Sequence, residues 1–173
     1  MDRSQLTGGR FSHNWLNSQR DDSYAPKKVL AIASGGGHWV QLLRMAPAFE
    51  GHEVAFVTTN SSYAGHVAGS RFYVVNDANR WNKFRLVSMA LKLLGIILRE
   101  RPDLVISTGA APGYFGLRIA KLLGARTIWV DSIANVEQLS MSGERVGRHA
   151  DLWLTQWPQL ARADGPAFAG AVL

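Results

Sequence analysis

"KKVLAIASGGGHWVQLLR", Lys27 to Arg44, decides the fold. Its first part is a short apolar run with charge before it and glycine after it, the signature of a strand buried on both faces. Its last part and the residues just after it place Trp39, Val40, Leu42, Leu43 and Met45 at helical spacing, with Pro47 to end or kink the helix. Between them stand Gly35, Gly36, Gly37 and His38. A strand, a glycine turn and a helix form the opening unit of a sheet built from β–α repeats.

The rest of the chain continues the alternation. Strands are expected at "HEVAFVTT" (52–59), "RFYVVN" (71–76), "DLVIST" (103–108), "RTIWVDS" (126–132) and "DLWLTQW" (151–157). A long helix is expected from Arg80 to Arg99, stopped by Pro102. Another spans "GAAPGYFGLRIAKLLG", opened by Gly113 and closed by Gly124. Such an order predicts an α/β domain: a Rossmann-like parallel sheet with helices on both faces. Residues 1–26 lack periodicity and read as a mobile polar arm, 27–157 as the Rossmann-like domain, and 158–173 as a Pro- and Gly-containing tail. At 173 residues the chain suits one domain with a real core.

Composition removes several classes. There is no cysteine, so neither a disulfide framework nor a thiolate metal site can form. No basic-then-apolar leader pattern opens the chain, and no apolar stretch reaches spanning length. The net charge of +6 is concentrated. Arg80, Lys83, Arg85, Lys92, Arg99 and Arg101 face only Glu100 in that segment. A basic stripe suits nucleic acid, an anionic membrane or phosphorylated substrates, and it is equally the solvated face of a helix. The same helix is apolar nearly all round, with Phe84, Leu86, Val87, Met89, Leu91, Leu93, Leu94, Ile96, Ile97 and Leu98. It is therefore a core helix, a lipid-contacting one, or both. Trp81, Lys83, Phe84 and Arg85 at its start have the makeup of an interfacial membrane anchor.

Ligands of doubly wound sheets bind at the carboxyl ends of the strands. Three loops there are candidates. The first is Ser34, Gly35, Gly36, Gly37 and His38. Its glycines allow close backbone approach, the amides at the helix start favour an anion, and His38 is a candidate base. The alternative is a tight turn with a capping histidine. It is not a dinucleotide fingerprint: Val40 stands where the third glycine belongs, and the second strand ends in Thr58, Thr59 and Asn60 without a carboxylate. Nor is it a triphosphate loop, since no Lys-Ser or Lys-Thr follows. The second loop offers Ser107, Thr108 and Gly109 as phosphate- or acceptor-binding residues, or as a compact turn. In the third, Asp131 either orients His38, activates a hydroxyl, or caps the next segment.

The "SGGGH", "ISTGAAPG" and "VDSIANVEQLSMSG" stretches, in this order, resemble bacterial PssD-type exopolysaccharide proteins. These are relatives of the membrane-recruiting subunit of the split UDP-N-acetylglucosamine transferase of dolichol-linked oligosaccharide synthesis. The resemblance runs from Lys27 to about Leu173. More distantly, "GGGH" and the fifth-strand loop are similar to the N-terminal half of the peptidoglycan lipid-II-forming glycosyltransferase. The resemblance implies the N-terminal, acceptor-side half of a GT-B glycosyltransferase. Its implied partners are a separate donor-binding GT-B C-terminal-half subunit, a UDP-sugar, a polyprenyl-diphosphate-linked acceptor and the cytoplasmic membrane surface, with no nucleic acid. Catalysis would fall to His38, with Asp131 as the alternative, and would need no metal and no cofactor. The tail ending "GPAFAGAVL" is the candidate dock for the partner. Two other readings stay open: a recruiter without chemistry of its own, and a nucleotide-binding Rossmann protein unrelated to sugars.

Overall fold

A computed structural model describes residues 25–78 and 82–172. The arm expected over 1–26 lies outside them except for Ala25 and Pro26, as do Trp81 and Leu173.

Seven strands form one sheet: β1 (Lys28–Ile32), β2 (Glu53–Thr58), β3 (Arg71–Val74), β4 (Leu104–Ser107), β5 (Arg126–Val130), β6 (Leu152–Thr155) and β7 (Ala167–Phe168). Their spatial order is β3-β2-β1-β4-β5-β6-β7, and every pairing is parallel. The chain thus winds outward in one direction from β1, then returns and winds the other way from β4. The switch point lies between β1 and β4, where ligand crevices open in such sheets. Ile32 is level with Ser107, and Ser107 with Trp129. The loops after β1, β4 and β5 therefore leave the sheet side by side.

Side chains alternate across the strands and build two cores. On one face Leu30, Ile32, Val57, Val105 and Trp129 pack against Met89, Leu93 and Ile97 of α2 (Lys83–Glu100). Leu117 and Ala120 of α3 (Ala110–Leu122) and Val146 of α4 (Met141–Val146) complete that core. On the other face Val29, Ala31, Phe56, Ile106 and Val130 pack against Trp39 and Leu42 of α1 (Gly37–Arg44), with Phe49 and Val67 beside them. The parallel strands read as near-continuous apolar runs because both of their faces are covered.

Two expectations change, and the open readings of α2 narrow. Gly113 does not open α3: the helix starts three residues earlier, at Ala110. The tail contains a strand, β7, too short and too glycine-flanked to stand out by pattern. Finally, α2 is not buried all round. Asn82 caps it by accepting from the Arg85 amide at 3.0 Å, and left-handed Arg101 before Pro102 ends it. Met89, Leu93 and Ile97, four residues apart, face the sheet. Phe84, Val87, Leu91 and Leu98 face away and are exposed, Phe84 by 91%. Among the described residues no helix is long and apolar enough to cross a membrane.

Candidate functional site

The glycine loop leaves β1 at the switch point. Gly36 takes φ 66° and ψ −137°, backbone that favours glycine, and forms the N-cap of α1 without a side-chain cap. Two hydroxyls from outside the loop hold it instead. The Gly35 amide donates to Thr59 Oγ1 at 3.2 Å, and the Gly36 amide donates to the Tyr63 hydroxyl at 3.1 Å. Two of the amides expected to face a phosphate thus have protein partners.

His38 lies in the first turn of α1, half-buried, and turns across the switch point. Its ring packs on Gly109, the N-cap of α3. A Cβ at Gly109 would sit 2.5 Å from Cδ2 and 2.6 Å from Nε2 of the imidazole, and Gly109 has φ 144°. Only glycine leaves room for the ring there. Thr108 Oγ1 donates to the His38 carbonyl at 2.7 Å, locking the second loop to the first. The Gly109 amide donates to Ser107 Oγ at 3.1 Å. Ser107 and Thr108 are fully buried, so their side chains shape the crevice from beneath its surface.

His38 Nδ1 is 3.0 Å from Ser34 Oγ. Ser34 Oγ directs its hydrogen to the Gly35 carbonyl, a long contact of 3.4 Å. This arrangement suits the tautomer in which Nδ1–H donates to Ser34 and Nε2 keeps its lone pair. Burial holds the imidazole below its usual pKa of 6.5, and the Asp131 carboxylate opposes this by favouring the charged ring. The net effect is a neutral imidazole at pH 7, the state a general base requires.

Asp131 is buried, 1% exposed. Its carboxylate accepts from the Ser140 amide at 2.8 Å and from Ser140 Oγ at 2.5 Å, and Asn135 Nδ2 reaches it at 3.4 Å. Ser140 in turn caps α4 by accepting from the Gly143 amide. Asp131 therefore organises the third loop and acts on His38 through its charge, without direct contact. Two buried glutamines clamp the same residue from below. Gln41 of α1 and Gln156 each donate to the Asp131 carbonyl, at 3.2 and 3.0 Å. The Ile133 amide donates to Gln41 Oε1 at 3.2 Å, and the Val172 amide donates to Gln156 Oε1 at 2.8 Å. The tail is thereby tied to the base of the third loop.

The structure thus brings together Ser34 to His38, Ser107 to Gly109 and Asp131, drawn from three loops. Lys83, Phe84 and Arg85 stand apart, exposed at the start of α2 on the opposite face of the sheet from α1. Sequence reasoning missed Thr59, Tyr63, Gln41, Gln156 and Ser140. Only Thr59 carried a usable signal. Once β1 and β2 are taken as parallel, Ile32 stands against Val57, and the residues just beyond β2 meet the glycine loop. No group of three or more histidines and carboxylates among the described residues is placed to hold a metal ion. A cavity of about 1050 Å³ opens at the other end of the sheet, between the last turns of α2 and α3, and holds none of these residues.

Comparison with known proteins bears on the family and the fold. Residues 67–172 match the family described as oligosaccharide biosynthesis protein Alg14 like. The UDP-N-acetylglucosamine transferase subunit ALG14 of Homo sapiens is 26% identical, over 76% of this chain and 76% of that protein. That of Eremothecium gossypii is 25% identical, over 79% and 75%. That of Yarrowia lipolytica is 35% identical, but over 43% of this chain and 36% of that protein. Among solved structures, Acinetobacter baumannii MurG superposes with TM-score 0.70 at 18% identity, covering 83% of this chain and 45% of MurG. A UDP-N-acetylglucosamine 2-epimerase from Rickettsia bellii gives TM-score 0.61 at 16% identity, covering 85% of this chain and 45% of its own. At such identities the likeness establishes the fold, a Rossmann-like half of the GT-B type.

Proposed function

The chain belongs to the Alg14-like family of oligosaccharide biosynthesis proteins, and from that premise we propose that it is the acceptor-side subunit of a two-chain, inverting UDP-sugar glycosyltransferase. The donor is UDP-N-acetylglucosamine or a related UDP-sugar, held by a separate GT-B C-terminal-half subunit. The acceptor is a sugar on a polyprenyl diphosphate, in lipid-linked oligosaccharide or exopolysaccharide assembly of the PssD type. The observation that carries this reading is His38, held neutral over Gly109 at the switch point of a GT-B-like half.

The chemistry follows from that placement. The acceptor hydroxyl attacks the anomeric carbon of the donor sugar as its proton passes to His38 Nε2. The bond from that carbon to the diphosphate breaks, its electron pair leaves on UDP, and the configuration inverts. Ser34 fixes the ring through Nδ1, and the Asp131 charge stabilises the imidazolium that forms. The amides of Gly37 and His38, at the start of α1, are oriented towards a diphosphate. Gly35, Gly36, Ser107, Thr108 and Gly109 hold the crevice in shape. Residues 158–172 form the dock for the partner, with β7 as the outer strand of the sheet. The exposed Phe84, Val87, Leu91 and Leu98, with Lys83 and Arg85 beside them, rest on the cytoplasmic membrane surface.

The test is transfer from UDP-N-acetylglucosamine to a diphosphate-linked glycolipid, by the purified chain alone and by the chain co-purified with its partner. Activity only in the pair supports the reading; full activity from the chain alone refutes it. A second reading, a recruiter that supplies no chemistry, is favoured by one observation: Thr59 and Tyr63 occupy the Gly35 and Gly36 amides.

A further inference from the structure

Tyr63 enters the glycine loop from a separate part of the chain. It lies in the 3₁₀ segment Ser61–Val67 that follows β2, 27 residues from Gly36, and its hydroxyl accepts the Gly36 amide at 3.1 Å. Two further rings stack on its ring. Trp39 stacks on it at 5.3 Å and 10°, and His66 stacks on it at 5.4 Å and 21°. Trp39 Nε1 donates to His66 Nδ1 at 3.1 Å, closing the set, and Trp39 is itself anchored in the core. The segment is fixed at its start by Asn60, which accepts from the Ser62 amide at 3.0 Å.

This rigid group bears on the one loop residue whose backbone needs outside support. Gly36 has glycine-favouring dihedrals, no side chain and no side-chain cap. A glycine N-cap supplies no side-chain acceptor, so outside partners have to fix the loop at the start of α1. His38 lies two residues on, and its ring has to pass over Gly109 with no room to spare. Whatever fixes Gly36 therefore fixes the imidazole.

We propose that Tyr63 is a positioning residue of the site, holding Gly36 so that His38 stays over Gly109. It does not touch the reacting atoms. The proposal rests on the reading of His38 as base for its kinetic consequence, but not for its structural one. The two are measured separately.

The variant is Tyr63→Phe, which keeps the ring stack and removes the hydroxyl. The first measurement is the NMR titration of the His38 imidazole in this chain alone. The groups around the ring are Asp131 from the end of β5, Ser34 within the loop, and Thr108 and Gly109 from the turn after β4. Tyr63 and His66 stand behind the loop. None of the others changes in the variant, so a loosened loop that admits water moves the midpoint upward, towards 6.5. The second measurement is steady-state transfer by the two-chain complex from UDP-N-acetylglucosamine. The expected result is a kcat lowered roughly three- to tenfold, the range of one neutral hydrogen bond, with the donor KM within twofold. Tyr63→Leu, which also removes the stack, lowers kcat further.

An upward shift with lowered kcat supports the proposal in full. An upward shift with unchanged kcat supports the positioning and refutes His38 as the base. An unshifted midpoint overturns the proposal, and a fall in melting temperature alone would then assign Tyr63 to packing.

Discussion

Replacing Gly109 by alanine isolates the contact on which the site depends. The new methyl meets the substitution in two ways. At φ 144° and ψ −179° the backbone is open essentially to glycine, which costs about 1–3 kcal/mol for any other residue. In addition the methyl would stand 2.5–2.6 Å from Cδ2 and Nε2 of His38. The imidazole has to swing out, losing its 3.0 Å contact with Ser34, which is about 1 kcal/mol more. The total is roughly 2–4 kcal/mol, and in a chain of this size each kcal/mol lowers Tm by about 2–4 °C. Thermal melting of Gly109→Ala should therefore show a fall of roughly 5–15 °C. Adding His38→Ala removes the ring the methyl strikes. The double variant should recover the His38 part of the loss and keep the backbone part, a coupling of about 1 kcal/mol in a double-mutant cycle. Strict additivity of the two substitutions, or a Gly109→Ala melt within 1 °C of the parent, would refute the packing of His38 on Gly109.

Other outcomes follow from the same geometry. The kcat/KM of the complex should rise with pH through an apparent pKa below 6.5, because the base is active neutral and burial lowers its pKa. The same depression makes the unfolded chain bind the extra proton first, so His38 costs stability as pH falls below 6.5, seen as a drop in Tm. Removing the Asp131 charge, which raises that pKa, should move the kinetic pKa lower still. Asp131→Ala also leaves the half-buried Ser140 amide and hydroxyl without their acceptor. It should destabilise the chain by roughly 2–4 kcal/mol in denaturant unfolding. By contrast Phe84→Ala, at a 91% exposed side chain, should change stability by less than about 0.5 kcal/mol. Lys83→Ala with Arg85→Ala should weaken binding to anionic vesicles by about tenfold or more and leave binding to neutral vesicles little changed, and adding Phe84→Ala should weaken binding to both.

Much of this was readable in the residues because it is local. Lys27 to Arg44 contains its strand, its turn and its helix in one run, and the alternation that continues to Trp157 predicts the parallel sheet. Val40 in place of a third glycine, with no carboxylate among Thr58, Thr59 and Asn60, sets aside a dinucleotide loop. The failures are long-range. Nothing near Tyr63 announces that its hydroxyl meets Gly36, because the contact exists only once β2 lies beside β1. Gln156 is distant in sequence from Asp131 and from Gln41, and the three meet only where β5 and β6 are level. The exposed side of α2 was hidden for another reason. A helix apolar nearly all round has no polar face to mark its outside, and only packing against β1 and α3 shows that Met89, Leu93 and Ile97 turn inward. Ala167 and Phe168 form a two-residue edge strand, below the length at which alternation can be seen.

The measurement that bears most directly on the whole account is the turnover of the reconstituted two-chain complex carrying His38→Ala. A general base contributes about 10²–10⁴-fold, so kcat should fall by at least a hundredfold, with the donor KM and the affinity for the partner little changed. Parental turnover from that complex would contradict the account and leave this chain as a recruiter of a catalytic partner.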